Sequence, residues 1–331
     1  MSPKQPSKSF KRTIWLPVLV LALLLAAWSV YWALGAAWLK QQVHQEIARY
    51  QVQGVEVSFE HMQIGGWPYR FAVTMRELRV ATSSTDQELE IFIPTMHVHA
   101  MAWNLSHLIV EIPQHAQAHT NGGQSWVYTS ERTRASLVLQ DGSLSRLSIE
   151  LVAPQLDTGT GQTAFRAEQL EVHIRPGSQP NSQNIFSFVT KPLWPTMPVQ
   201  DIKQIRVQGK VFSWDAFMGT NSLHGFRDAG GHLVLDEGLF ETSSSSVHVS
   251  GNLQIDENGF AKGRLKTNFI RPAALLSGLD QTQLDSDTRK AIAAISLLTG
   301  GIDEANVSFQ LKKGAVYSGP FRLARLPALI H

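Results

Sequence analysis

From Ile14 to Leu39 the chain runs 26 residues without a charged side chain, and only Pro17, Ser29 and Gly35 break its apolar character. A helix needs about 20 such residues to cross the hydrocarbon of a bilayer, so this segment predicts a transmembrane helix over 14–39. Lys4, Lys8, Lys11 and Arg12 precede it with no acidic residue among them, whereas Lys40 and Arg49 on the other flank are partly offset by Glu46. By the positive-inside rule, residues 1–13 form a basic cytoplasmic tail and residues 40–331 lie across the membrane. Trp15 at one end, and Trp28, Tyr31, Trp32 and Trp38 toward the other, suit rings that settle at the membrane interface. The competing reading is a cleaved signal peptide, with Ala33-Leu34-Gly35 as its small-residue site. The apolar run passes that site and exceeds the roughly 7–15 residues of a signal core, which favours an uncleaved anchor. Ser29, Ala33 and Ala37 fall four residues apart on one helix face, a stripe that would let a second transmembrane helix approach closely.

Charge supports the same division. The chain carries 29 Lys and Arg against 27 Asp and Glu, and four of the basic residues sit in the tail, so residues 14–331 are slightly acidic. The net positive charge is therefore a topology signal, and no nucleic-acid partner is expected. Absence of cysteine excludes a disulfide scaffold and a thiolate zinc site.

Beyond the anchor, Lys40–Tyr50 reads as a polar helical continuation, after which the hydrophobic period switches to two. Val55, Val57 and Phe59, then Phe71, Val73 and Met75, alternate with polar residues. The pattern recurs at Leu89/Ile91/Ile93, Leu108/Val110/Ile112, Ala135/Leu137/Leu139, Leu147/Ile149/Leu151 and Leu170/Val172/Ile174, with a hairpin signal at Asp141-Gly142. One apolar face per strand implies an antiparallel sheet covered on one side. Residues 176–200, rich in Pro, Ser, Asn and Gln, are expected to form a linker between a first β-rich half (40–175) and a second (201–331). In that second half, hairpins are expected at Asp256-Glu257-Asn258-Gly259 and Lys312-Lys313-Gly314, and helices near 273–279 and 287–298, the latter covering part of the sheet. The expected fold is mainly β with few helices: the transmembrane helix, then one long curved antiparallel sheet or two packed β subdomains.

No residue set announces a reaction. Gly159-Thr160-Gly161 matches a loose dinucleotide-loop pattern, but strand-spaced Leu170, Val172 and Ile174 follow too soon for the helix such a loop must open, so it reads as a turn. His97 and His99, and likewise His115 and His119, could each offer two metal ligands on one face of a strand, yet spacing supplies no third. These histidines read as solvent-facing, and neither metal nor cofactor is expected. Asp141, Asp236, Asp256 and Glu257 read as turn residues. A hydrolase without a recognisable motif stays open, since acid and base need only meet in space. Two aromatic turns echo each other, Gly66-Trp67-Pro68-Tyr69-Arg70-Phe71 and Gly319-Pro320-Phe321-Arg322-Leu323. They read as strand entries or, in a functional sense, as the lip of an apolar groove lined by Trp67, Tyr69, Phe71 and Phe321.

The first of these turns, the hairpin Gly251-Asn252-Leu253-Gln254-Ile255-Asp256 with Gly259 and Gly263-Arg264-Leu265, and the terminal Gly319-Pro320-Phe321-Arg322-Leu323-Ala324-Arg325-Leu326-Pro327 resemble, in order, the motifs of one family. It is the membrane-anchored envelope protein family of alphaproteobacteria described as domain of unknown function 2125. The resemblance covers most of the chain beyond the anchor and implies a bacterial inner-membrane address with the bulk of the chain in the periplasm. It brings no catalytic residue. The terminal segment is also similar in style to AsmA-like envelope proteins, whose long β-sheets with an apolar inner face are associated with lipid handling. The expectation is a non-enzymatic envelope protein that binds or passes lipids or other amphiphiles along an apolar sheet face. A scaffold that binds another envelope protein through the β region is the alternative.

Overall fold

The computed structural model describes residues 9–52, 54–83, 88–113, 115–140, 143–199, 201–220, 223–279 and 302–330, with Arg289, Ala293 and Ser296. Helix α1 (Ser9–Val52) joins the apolar segment and its polar continuation into one element of 44 residues, about 66 Å long. Because it begins at Ser9, Pro17 lies inside the helix and not in its first turn, where one backbone hydrogen bond is lost.

All the strands belong to one antiparallel sheet. Strand β3 (Arg70–Ser83) carries β1 (Val55–Ser58) and β2 (His61–Gly65) end to end on one flank and β4 (Glu88–Met101) on the other. The next row is shared by β5 (Asn104–Glu111) and β6 (Ala116–Thr120), which pair with opposite ends of β4. Strand β7 (Ser125–Thr129) pairs with β6, β8 (Arg132–Gln140) with β5, and β9 (Ser143–Val152) with β8. A side branch follows, in which β10 (Gln155–Thr158) lies between β7 and β11 (Thr163–Arg166).

From β12 (Gln169–Pro176), which pairs with β9, the sheet is a simple meander. It runs through β13 (Ser182–Thr190), β14 (Ile202–Phe212), β15 (His232–Thr242), β16 (Ser246–Ile255), β17 (Ala261–Ile270), β18 (Glu304–Lys312), β19 (Ala315–Ser318) and β20 (Phe321–Arg325). Roughly fifteen rows at about 4.8 Å give a path along the sheet on the order of 70 Å.

The architecture is thus the single large sheet, not two packed subdomains. The stretch 176–200 is not a linker: β13 lies within it and is paired along both flanks, with Ile185 opposite Ile174 on one side and Gly209 on the other. None of its prolines lies within β13: Pro176 ends β12, opposite Gln183, and the others fall in the turns on either side. Strand β15 bulges at Asp236 and Glu237: consecutive Gln208 and Gly209 of β14 face Glu237 and Leu235, and on the other flank Leu235 and Gly238 face Gly251 and Val249 of β16. Asp236, expected in a turn, thus lies inside a strand and kinks the ladder.

The turns follow the expected chemistry. Asp256 Oδ1 accepts from the backbone N–H of Asn258 (3.0 Å) and Phe260 (2.9 Å), and Gly259 takes φ +81°. Gly159-Thr160-Gly161 closes the β10–β11 hairpin. Helix α4 (Pro272–Ser277) occupies the site of one expected helix; of the expected helix at 287–298 only Arg289, Ala293 and Ser296 are described, each helical, and the Asp141-Gly142 turn lies outside the described residues. Two helices were not anticipated, α2 (Trp214–Thr220) and α3 (Leu223–Asp228), each too short to show a helical period. They are held by contacts among Trp214, Phe217 and Phe226.

Two clusters of buried apolar residues lie toward the two ends of the sheet, with Ala167, Ile202, Trp214 and Leu239 buried between them. Val73, Met75 and Leu78 pack with Leu39 and Val43 of α1 and with Ile93, Met96 and Val98 of β4. Phe269, Ala305 and Val307 pack with Val247 and Phe309 at the other end.

Candidate functional site

Residues directly opposite each other in an antiparallel ladder point to the same face, so the strand register shows what each face carries. One cross-strand row reads Ile64, Val73, Val98, Val110, Ala135, Ile149, Val172, Ser187, Val207, Gly238, Val249, Thr267, Val307. Beside it runs Phe71, Ala100, Leu108, Leu137, Leu147, Ile174, Ile185, Gly209, Leu235, Gly251, Leu265, Phe309. Both rows are apolar from β2 and β3 to β18, interrupted only by small or hydroxyl-bearing residues.

Among the described elements, broad contact occurs between neighbouring strands, between α1 and β1, and between α2 and α3; none lays a second layer over the middle of this face. The side chains there are half-buried, and Val207 is 40% exposed. Two glycines keep the ladder tight at its distal part: a Cβ on Gly251 would run into the carbonyl oxygen of Arg264, and one on Gly263 into that of Asn252. Both belong to the hairpin motif noted in the sequence.

The proximal end of the face is closed by α1. Half-buried positions 28, 32, 35, 36, 39, 43, 46 and 47 repeat at helical spacing and form the docked side of the helix. Trp28 Nε1–H donates to the carbonyl of Pro68 (2.9 Å), Trp32 Nε1–H to that of Arg70 (3.0 Å), and the Tyr31 hydroxyl to that of Ala102 (3.1 Å). Phe71 stacks on Trp32 with ring centres 5.5 Å apart and seats against Gly35, where a Cβ would come within 2.8 Å of its Cζ. The segment expected to lie wholly in the bilayer is therefore shared. Residues 15–27 are exposed on every side, whereas from Trp28 onward one side of the helix packs on the sheet.

The expected lip residues separate. Phe71 is 2% exposed and belongs to the core under α1, which corrects its placement at a groove mouth. Trp67 and Tyr69 are 53% and 69% exposed on the tight turn that leads into β3, and Phe321 is 63% exposed on β20, which pairs only with β19 at the far edge of the sheet. Both aromatic turns are strand entries, but they do not form one lip. Of the small-residue stripe, Ser29 donates to the Leu25 carbonyl (2.8 Å), and Ala33 and Ala37 face away from the sheet. Sequence reasoning missed Met101 and Trp103, exposed on the β4–β5 turn beside Tyr69, whose carbonyl accepts from the Ala102 N–H (3.0 Å). A tight turn that keeps Trp and Met at its tip was the available signal.

The opposite face is polar. His97 lies across from Glu111, Glu111 from Arg134, Arg134 from Glu150, and Glu150 from Glu171. Arg134 donates twice to Glu111 (2.9 and 2.7 Å), Arg132 to Glu150 (2.8 Å), and His173 sits 3.0 Å from Glu171. His97 and His99 stack 6.0 Å apart on one face, as the spacing required; His97 hydrogen-bonds with Thr74 and His99 lies 3.8 Å from Glu111. Burial lowers the His99 pKa, with Arg70, His97 and Arg134 acting in the same direction against the attraction of Glu111. The hydrogen bonds from Arg134 hold Glu111 below the ordinary carboxylate range against the opposing effect of burial. Among the described residues no three His, Asp or Glu side chains converge as metal ligands. Arg134–Glu111 and Arg132–Glu150 pair across strands, and His173–Glu171 pairs along β12.

A model of the bacterial family described as "Uncharacterized protein conserved in bacteria (DUF2125)" matches residues 32–327. No curated protein and no solved structure matches the chain.

Proposed function

The chain belongs to the DUF2125 family of bacterial proteins, and from that premise we propose that it is a non-enzymatic, single-span inner-membrane protein whose periplasmic sheet binds or passes lipids or other amphiphiles along its apolar face. One observation carries this reading: the apolar rows start under a helix long and apolar enough to cross a membrane and continue across the sheet with no second layer over the middle among the described elements. Exposed apolar area of that extent costs about 25 cal/mol per Å² in water, so an acyl chain laid along it is the natural cover. The polar face, with its cross-strand ion pairs, suits water. The cytoplasmic placement of the N-terminus rests on Lys4, Lys8, Lys11 and Arg12.

The test is lipid analysis of full-length protein purified in mild detergent. Phospholipid should co-purify in mass spectra, fall several-fold in Val207→Glu and Val172→Glu, and persist in Lys266→Gln on the opposite face. Equal lipid in all four proteins, or none in any, would remove the proposal. Crosslinking in intact cells that recovers one stoichiometric protein, with no lipid bound, would instead favour a scaffold, for which β20, paired among the described residues only with β19, offers a sheet edge.

A further inference from the structure

Among the residues of α1 whose exposure is described, 13, Trp15 to Ala27, are exposed on every side, and they rise about 20 Å, well short of the ~30 Å hydrocarbon core. The missing ~10 Å corresponds to about seven residues. On the N-terminal side the helix soon meets Arg12 and Lys11, charges that belong at headgroups. On the other side the free flank of the docked half stays apolar, with Val30 and Leu34 exposed beside Tyr31. The span must therefore take in Trp28–Leu34, the same residues that hold the sheet through the Pro68, Arg70 and Ala102 carbonyls. The end of the sheet is thereby carried down to the membrane.

Two turns lie at that level, and they are unlike the rest of the surface. Trp67 and Tyr69 on one, and Met101, Trp103 and Leu105 on the other, are all exposed, and the turns touch through the Ala102–Tyr69 hydrogen bond and the Arg70–Met101 pairing. Aromatic rings with a polar edge favour the headgroup boundary, and exposed Arg70 between them matches anionic phosphate. We infer that this rim of Trp67, Tyr69, Met101 and Trp103 inserts into the interface of the bilayer on the side that holds the sheet, so that the body is seated in the membrane surface and not merely tethered above it. The first apolar row of the sheet, Phe71–Ala100–Leu108, then starts at lipid depth. The inference needs α1 to span the membrane but does not depend on amphiphile carriage.

The chain has no cysteine, so single introduced thiols can be spin-labelled without background. Full-length Tyr69→Cys, Trp103→Cys, Leu23→Cys and Lys266→Cys proteins are reconstituted into phosphatidylethanolamine–phosphatidylglycerol vesicles, and label collision with oxygen and with a water-soluble nickel chelate is measured. Leu23 should report hydrocarbon, Lys266 water, and both rim positions an interfacial depth with nickel collisions several-fold below those at Lys266. Met101→Cys provides the same readout if either aromatic substitution prevents folding. Rim labels as open to nickel as Lys266 would overturn the inference while leaving the anchor intact. Labels closed to both probes would mark a protein contact and overturn it equally; an aqueous Leu23 label would remove the span and the inference together. Lipid co-purification reports separately on the amphiphile reading.

Discussion

The histidine pair and its carboxylate neighbour show how the polar face responds to acid. Burial and three neighbouring cationic or ionisable groups place the folded pKa of His99 below its ordinary value of about 6.5, so the native state favours the neutral ring. A depressed pKa contributes stability above the unfolded value that is lost as pH falls through the folded one. Glu111 acts in the same sense at lower pH, because the Arg134 hydrogen bonds favour its ionised form. Chemical denaturation should therefore show stability declining as pH drops from about 6.5, with a shallower decline in His99→Gln. Carboxyl NMR should find the Glu111 titration displaced upward in Arg134→Gln; an unchanged titration would mean that the double hydrogen bond has no bearing on the carboxylate.

At the scale of the element, α1 divides between two environments at Trp28, and Gly35 marks the docking geometry. The ring of Phe71 occupies the space a side chain at position 35 would fill. Gly35→Val should force the helix off the sheet or displace Phe71, at about 1–3 kcal/mol as judged from other overpacked contacts. Thermal unfolding of the purified protein should fall accordingly, and trypsin should reach Arg49 sooner. Loss of neither would show that the helix tolerates a looser seat. In the sequence, Gly35 reads only as an interruption of an apolar run or the end of a cleavage motif, because its partner lies 36 positions away.

At the scale of the whole molecule, the broad contacts of each row of the sheet are, among the described residues, mainly with its two neighbours, which makes stability approximately a sum of local terms. Removing a ring from one end should be felt there. Phe71→Ala should cost about 3–5 kcal/mol locally, with faster amide exchange in β1–β4 and unchanged protection in β16–β18. Uniform loss of protection across the sheet would show that it unfolds as a single cooperative unit. The same row-by-row construction explains how a long apolar face can persist with no second layer over its middle among the described elements: the ladder satisfies the backbone, and half-buried side chains rest on their cross-strand neighbours.

Much of this was legible in the amino-acid sequence, because it depends on short-range chemistry. Apolar length identified a helix long enough to cross a membrane, period-two alternation identified strands with one apolar face, and Asp256 with Gly259 identified a turn. Those properties need only the geometry of a helix, a strand or four consecutive residues. What the tertiary structure decided is where distant segments meet. It placed β13 inside the supposed linker, moved Phe71 from a groove lip to the core under α1, and set Trp67 and Phe321 at opposite edges of the sheet. It also brought Met101 and Trp103 beside Tyr69. Strand partners and register are fixed by hydrogen bonds between residues far apart in the chain, and no local pattern contains the identity of the partner.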